Sequence, residues 1–170
     1  MPRQAVPALT ALAAVLAALA WPVWPGLAVG PEDGPGCRLP LATGDSFTLS
    51  FTHSVDRLPV QDRYHVENGK IVQDSTRLRQ FGAGMGHISG DGVGREDGDW
   101  WEITGMARQV GDLTLRVGGP RIGHRLSHPG GELSLSQRWG GQRVAMRPVR
   151  QSTAARAVDR LRGTDCGAQL

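Results

Sequence analysis

The chain has 170 residues, 24 of them glycine and two cysteine, with a formal net charge of +3 at neutral pH. That length suits a single domain with one modest core. The excess of 19 basic over 16 acidic residues is almost entirely arginine, Lys70 being the only lysine, and without a basic, aromatic stripe it argues against nucleic acid as a partner.

Arg3 is followed over residues 5–20 by an uncharged run rich in alanine and leucine. It is too short and too alanine-rich for a membrane span, but a positive start, an apolar stretch and small residues after it fit a signal peptide. Cleavage is open between Ala18 and Ala20 on one side and Gly26 and Ala28 on the other, so residues 1–28 read as a signal peptide. If uncleaved they form an N-terminal anchor that holds the chain to the membrane, with Trp21 and Trp24 at the interface. Export to the periplasm is therefore expected, and residues 29–36, rich in glycine, proline and acid, read as a linker. Cys37 opens the domain and Cys166 closes the chain; in an oxidising compartment the two can pair. Lipidation of Cys37 is disfavoured, because Gly34, Pro35 and Gly36 separate it from the apolar run.

The stretch from Phe47 to Val66 carries the clearest pattern. Phe47, Leu49, Phe51, His53 and Val55 alternate with polar residues, and so do Val60, Asp62, Tyr64 and Val66, which predicts two half-buried strands. A four-residue loop over Asp56 to Pro59 would set His53 opposite Asp62 and Phe51 opposite Tyr64. An imidazole and a carboxylate would then share an apolar inner face, either to satisfy each other or to hold a ligand. Ser54, pointing to the other face, is not a nucleophile for His53. Asn68-Gly69 predicts a type I′ turn into a third strand over Lys70 to Leu78, with Val66 facing Ile71 and Asp62 facing Ser75. The inner polar patch is thus His53, Asp62 and Ser75. A Ser, His and acid trio evokes hydrolysis, but no strained elbow motif surrounds Ser75.

Seven glycines between Phe81 and Asp99 mark a loop. Its acids Asp91, Glu96, Asp97 and Asp99 lack the alternation of a calcium loop, and His87, His124 and His128 lack the spacing of a zinc site. Neither metal nor cofactor is expected. Strand-like segments resume at Trp100 to Met106, Gly111 to Val117, Arg121 to Leu126, Glu132 to Gln137 and Gln142 to Val149. The sum is an all-β fold over residues 37–150, a small antiparallel sandwich or barrel of about eight strands. Over residues 151–170, Ala154, Ala157, Val158 and Leu161 recur at helical spacing, predicting a short C-terminal helix that packs on the β domain or lies on a membrane or partner.

The run HSVDRLPVQD at residues 53–62, the strand after it and FGAGM at Phe81 to Met85 resemble a bacterial family of exported proteins, domain-of-unknown-function family number 1850. The resemblance runs from Leu41 to Val149 and places the shared positions on His53, Ser54, Val55, Pro59, Val60, Asp62, Gly82, Ala83 and Gly84. In two places the chain departs from the pattern: Asp62 stands where glutamate is usual, and Gly86 where proline often follows the turn. Members of that family often lie beside TRAP transporters of the TAXI type, which import small organic acids. The resemblance therefore implies a periplasmic accessory or ligand-binding protein whose partner is a small organic acid or a transporter component. Candidate ligand-binding residues are His53, Asp62, Ser75 and Tyr64, with Gly82, Gly84 and Met85 from the glycine loop. No catalytic residue is assigned. The alternatives are a structural envelope protein without a ligand site and, behind it, a hydrolase.

Overall fold

The computed structural model describes residues 5–42, 44–79 and 92–166. Its elements in chain order are α1 (Ala5–Ala20), β1 (Trp24–Pro31), β2 (Cys37–Pro40), β3 (Ser46–Thr52), β4 (Pro59–Glu67), β5 (Lys70–Leu78), β6 (Val93–Asp97), β7 (Trp100–Gly111), β8 (Leu113–Arg116), β9 (Arg125–His128), β10 (Gly131–Ser134), α2 (Leu135–Trp139), β11 (Arg143–Gln151) and α3 (Thr153–Arg162). The strands form two antiparallel sheets, one ordered β2-β1-β11-β8 and the other β10-β9-β3-β4-β5-β7-β6. Among the described residues neither closes on itself, so of the two architectures open to an all-β chain this one takes the sandwich.

Alternation decides which side of each strand is buried. Phe47 and Leu49 of β3 and Val60 and Tyr64 of β4 are buried, whereas Arg63 between them is exposed. Phe47, Leu49 and Tyr64 join Ile71 and Leu126 of the large sheet and Leu27, Val29, Leu39, Val144 and Met146 of the small one in a single core. The Asn68-Gly69 turn forms as expected, with φ of 49° and 73° and Glu67 opposite Lys70. Asp112 carries the chain from β7 of the large sheet into β8 of the small one.

The N-terminal boundary needs correction. Trp24–Pro31, read above as the end of a leader and the start of a linker, is strand β1, lying between β2 and β11. Its two interior glycines hid it, since glycine weakens strand propensity, yet the packing requires both. A Cβ on Gly26 would come 2.8 Å from the carbonyl oxygen of Leu39, and one on Gly30 would come 2.5 Å from Cα of Gly36. Cys37, opposite Val29 at the start of β2, is joined by a disulfide to Cys166, with Cα atoms 5.2 Å apart.

Three further segments differ from expectation. Arg121 to Leu126 opens as a turn, and strand begins only at Arg125, running to His128. Glu132 to Gln137 is strand only to Ser134, whose side chain accepts from the Gln137 N–H and caps the short helix α2, burying Leu135 and Trp139. Within the stretch read as a glycine loop, Val93–Asp97 pairs with β7 as strand β6. Trp101 packs its ring over Gly94, where a Cβ would meet it at 2.8 Å.

Candidate functional site

The hairpin of β3 and β4 forms, but in another register. Asp62 lies opposite Leu49, not His53, and Val60 lies opposite Phe51. The reason is the loop. The His53 N–H donates to the Leu58 carbonyl at 2.8 Å and the Arg57 N–H to the His53 carbonyl at 3.0 Å, with Arg57 in the left-handed region at φ 59°. The turn therefore runs over residues 53–58 and takes His53 and Val55 out of the strand. His53 turns to its own loop: Nδ1 accepts from the Asp56 N–H at 3.4 Å and lies 3.0 Å from Asp56 Oδ2. Because the slip is four residues, an even number, Asp62 stays on the inner face.

A second displacement removes Ser75. Asp74 is an extra residue in β5: Tyr64 pairs with Gln73 and Arg63 with Ser75, and the pairing of β5 with β7 shifts at the same place. Past this bulge the alternation is reversed. Thr76 thus lies opposite Asp62, and Ser75, though buried, lies opposite Arg63 on the far face. The trio of His53, Asp62 and Ser75 is not assembled. Gly82, Gly84 and Met85 lie outside the described residues, as does His87.

What the fold does assemble is a polar cluster on the inner face around Asp62. Thr76 Oγ1 donates to Asp62 Oδ1 at 2.7 Å and Gln73 Nε2 approaches the same oxygen at 3.4 Å. Gln73 Nε2 also donates to Thr76 Oγ1 at 2.8 Å, and the Tyr64 hydroxyl donates to the Asp62 carboxylate. Burial pushes the Asp62 carboxyl above its usual range, and the bonds from Thr76 and Tyr64 offset only part of that. Burial and the neighbouring Asp62 charge raise the Tyr64 phenol well above its ordinary value, while Arg108 opposes them. Arg108, exposed on β7 opposite Gln73, is the cation at the rim of the cluster. The Tyr64 ring stacks on Phe47 with centroids 5.4 Å apart, which fixes where its hydroxyl points.

Sequence reasoning found Asp62 and Tyr64 and missed Gln73, Thr76 and Arg108. The signal was present in IVQDSTRL, where Gln73, Asp74, Ser75 and Thr76 interrupt the period of two. On the other face the bulged Asp74 takes His65, with Oδ1 2.8 Å from Nδ1. The remaining histidines are held locally: the Gly118 N–H donates to Nδ1 of His124 and the Gly130 N–H to Nδ1 of His128, each at 3.1 Å. Among the described residues no three His, Cys, Asp or Glu side chains are grouped to hold a metal ion.

Chemically, the Asp62 cluster is a desolvated carboxyl, a phenol, an amide and a hydroxyl in one hydrogen-bonded net, with a guanidinium at its edge. Such a net can accept or donate to a small polar ligand without a covalent step. In comparisons with known proteins, the family model described as a domain of unknown function, DUF1850, matches residues 47–135, just over half of the chain. No curated protein and no solved structure matches the chain.

Proposed function

Since the chain belongs to the DUF1850 family, we propose that it is an exported accessory or ligand-binding protein working beside a TRAP-type importer of small organic acids, with the Asp62 cluster as its ligand site. The observation that carries the reading is Asp62 itself: a carboxyl held above its usual range on an apolar sheet face, with Tyr64 beside it and Arg108 at the rim. A guanidinium at the rim supplies countercharge for a carboxylate ligand, and the Tyr64 hydroxyl and the Gln73 amide supply donors beside it. Export is supported by the apolar N-terminal run and by the Cys37–Cys166 disulfide, a bond that persists in oxidising compartments.

A second reading has its own support. Asp62 already receives bonds from Thr76, Gln73 and Tyr64, as a purely structural tie between β4 and β5 would require. Thermal unfolding against a panel of small mono- and dicarboxylates separates the two. A binder gains about 2.7 kcal/mol at a ligand concentration a hundredfold above its dissociation constant, and that gain should vanish in Arg108→Ser and Tyr64→Phe. If no carboxylate moves the transition, while Asp62→Ala alone strongly destabilises the protein, the structural tie stands and the ligand site is lost.

A further inference from the structure

Helix α3 is docked by its polar side. Asp159 is 8% exposed; both of its carboxylate oxygens accept from Arg38 Nη1 at 3.0 Å, and it also accepts from Gln151 Nε2 at 2.6 Å and Thr164 Oγ1 at 3.0 Å. With Asp159 facing the small sheet, the helical spacing forces Ala154, Ala157, Val158 and Leu161 to the opposite side. All four are exposed, Leu161 at 88% and Val158 at 40%. The usual arrangement of a surface helix, apolar stripe inward and charge outward, is inverted here.

The surroundings of that stripe identify what covers it. At 100° per residue, Arg160 and Arg162 fall on its two flanks, and both are exposed. The single acid of the helix, Asp159, is already occupied by Arg38, and Asp165 just beyond the helix lies 3.9 Å from Arg160 Nε, so arginine outnumbers acid along the outward side. At the N-terminal end of α3, Trp24 donates from Nε1 to Thr153 Oγ1 at 2.9 Å and lies under Arg156, 5.1 Å from its ring centre. Trp21, Val23 and Trp24 are exposed at 68%, 48% and 43%. Helix α1, which lies against α3, exposes Leu9, Leu12, Val15, Leu16 and Leu19. No helix among the described residues is long and apolar enough to cross a membrane. An apolar stripe edged by arginines, with tryptophans beside it, is the composition of a helix lying in a lipid headgroup layer.

We infer that the face made by α3 and the Trp21–Trp24 segment seats on an anionic phospholipid surface, so that the β domain is held with this end toward the membrane. The stripe supplies burial in the acyl boundary and Arg160 and Arg162 supply attraction to the headgroups. The surface belongs to the folded domain and outlasts any removal of α1. It does not involve Asp62, so the fate of the ligand reading does not decide it.

The test reads α3 directly, because α1 alone could bring the full chain to any bilayer. Amide hydrogen exchange of residues 153–162 is followed in the full-length protein with vesicles of phosphatidylglycerol and phosphatidylethanolamine, with phosphatidylcholine vesicles and without lipid. Exchange should slow by about tenfold or more on the anionic vesicles, much less on phosphatidylcholine, and the effect should weaken at high salt. Leu161→Asp, whose site touches almost nothing in the fold, should abolish the protection, and Arg160→Ser with Arg162→Ser should remove the preference for anionic lipid. Unchanged α3 exchange in protein that nevertheless sediments with the vesicles would overturn the inference. So would protection that appears without lipid as protein concentration rises, which would assign the stripe to a second copy of the chain.

Discussion

Thr76 donates to Asp62 at 2.7 Å across β5 and β4, and this bond holds the inner polar cluster to the sheet. Removing it with Thr76→Val leaves the buried Asp62 carboxyl with the weaker approach of Gln73 and the hydroxyl of Tyr64. The variant should lose about 1–3 kcal/mol of stability. Its Asp62 carboxyl should titrate still higher than in the parent, since a hydrogen bond that favours the charged form has gone. Urea unfolding gives the first quantity and a carboxyl-carbon NMR titration the second; an unmoved Asp62 titration would remove Thr76 from the cluster.

The same carboxyl gives stability a pH dependence of definite sign. Burial raises Asp62 above its ordinary 3.8, so between 3.8 and its folded value the native state holds the proton more than the unfolded chain does. The favourable contribution is complete below 3.8 and is lost as pH rises through the folded value. Asp62→Asn does not titrate. Its stability relative to the parent should therefore improve steadily over that window and level off above it. A difference independent of pH, measured by urea unfolding at several pH values, would show that Asp62 is not perturbed.

His124 works in the opposite direction. Desolvation lowers its imidazole below 6.5, and it packs flat on Phe51, centroids 5.2 Å apart, while Nδ1 accepts from Gly118. The neutral ring's contribution is complete above 6.5 and is lost as pH falls through the folded value. His124→Phe keeps the stacking but orphans the Gly118 N–H, costing about 1–3 kcal/mol at neutral pH. The gap to the parent should narrow on acidification, a trend that chemical unfolding from neutral to mildly acidic pH reads directly.

Period-two alternation made the inner faces of β3 and β4 legible, and Asn68-Gly69 fixed Val66 opposite Ile71. It could not fix the hairpin register. Sliding Asp62 from His53 to Leu49 is an even shift, and a period-two pattern is blind to even shifts. Only the backbone bonds of His53, Arg57 and Leu58, which no side-chain pattern announces, decide it. The exchange of Ser75 for Thr76 is the odd case, produced by the single extra residue Asp74. Strand β1 was obscured for a third reason: Pro25, Gly26 and Gly30 look like punctuation, whereas the glycines answer to Leu39 and Gly36 on the neighbouring chain segment.

The Cys37–Cys166 disulfide closes a loop with a sequence separation of 129 residues. In the chain-entropy model a loop of that length restricts the unfolded state by about 5 kcal/mol at 25 °C. Cys37→Ser with Cys166→Ser should approach that loss, with the tail after α3 freed first because Cys166 is its covalent tie to β2. Chemical unfolding of the oxidised parent and the double variant checks the magnitude. Equal stabilities would mean that the unfolded chain gains nothing when the bond is absent.

Asp159 is the acceptor on which α3 is docked, so its removal should release the helix. Asp159→Ala leaves Arg38, Gln151 and Thr164 without their shared carboxylate. Breaking a fully buried pair costs about 3–5 kcal/mol, but the Arg38 side chain is 47% exposed and water compensates part of the loss, so about 2 kcal/mol is expected. Amide exchange should quicken across residues 153–162 while β11, held by β1 and β8, keeps its protection. Quickening shared equally by β11 would mean that α3 and the sheet open as one unit.

Strand β1 sets a limit on N-terminal processing. Leu27 is fully buried and Val29 is 1% exposed, and β1 pairs in register with β11 over its whole length from Trp24 to Pro31. Cleavage after Ala20 leaves β1 whole, with Trp21 to Val23 as its approach. Cleavage after Ala28 removes Leu27, whose truncation to alanine alone would cost about 2–5 kcal/mol, and opens the edges of β2 and β11 to water. If the leader is removed on export, intact mass should place the new terminus ahead of Trp24. A protein beginning at Val29 should show no cooperative thermal transition; cooperative unfolding from that start would mean that β2 and β11 hold together without the strand between them.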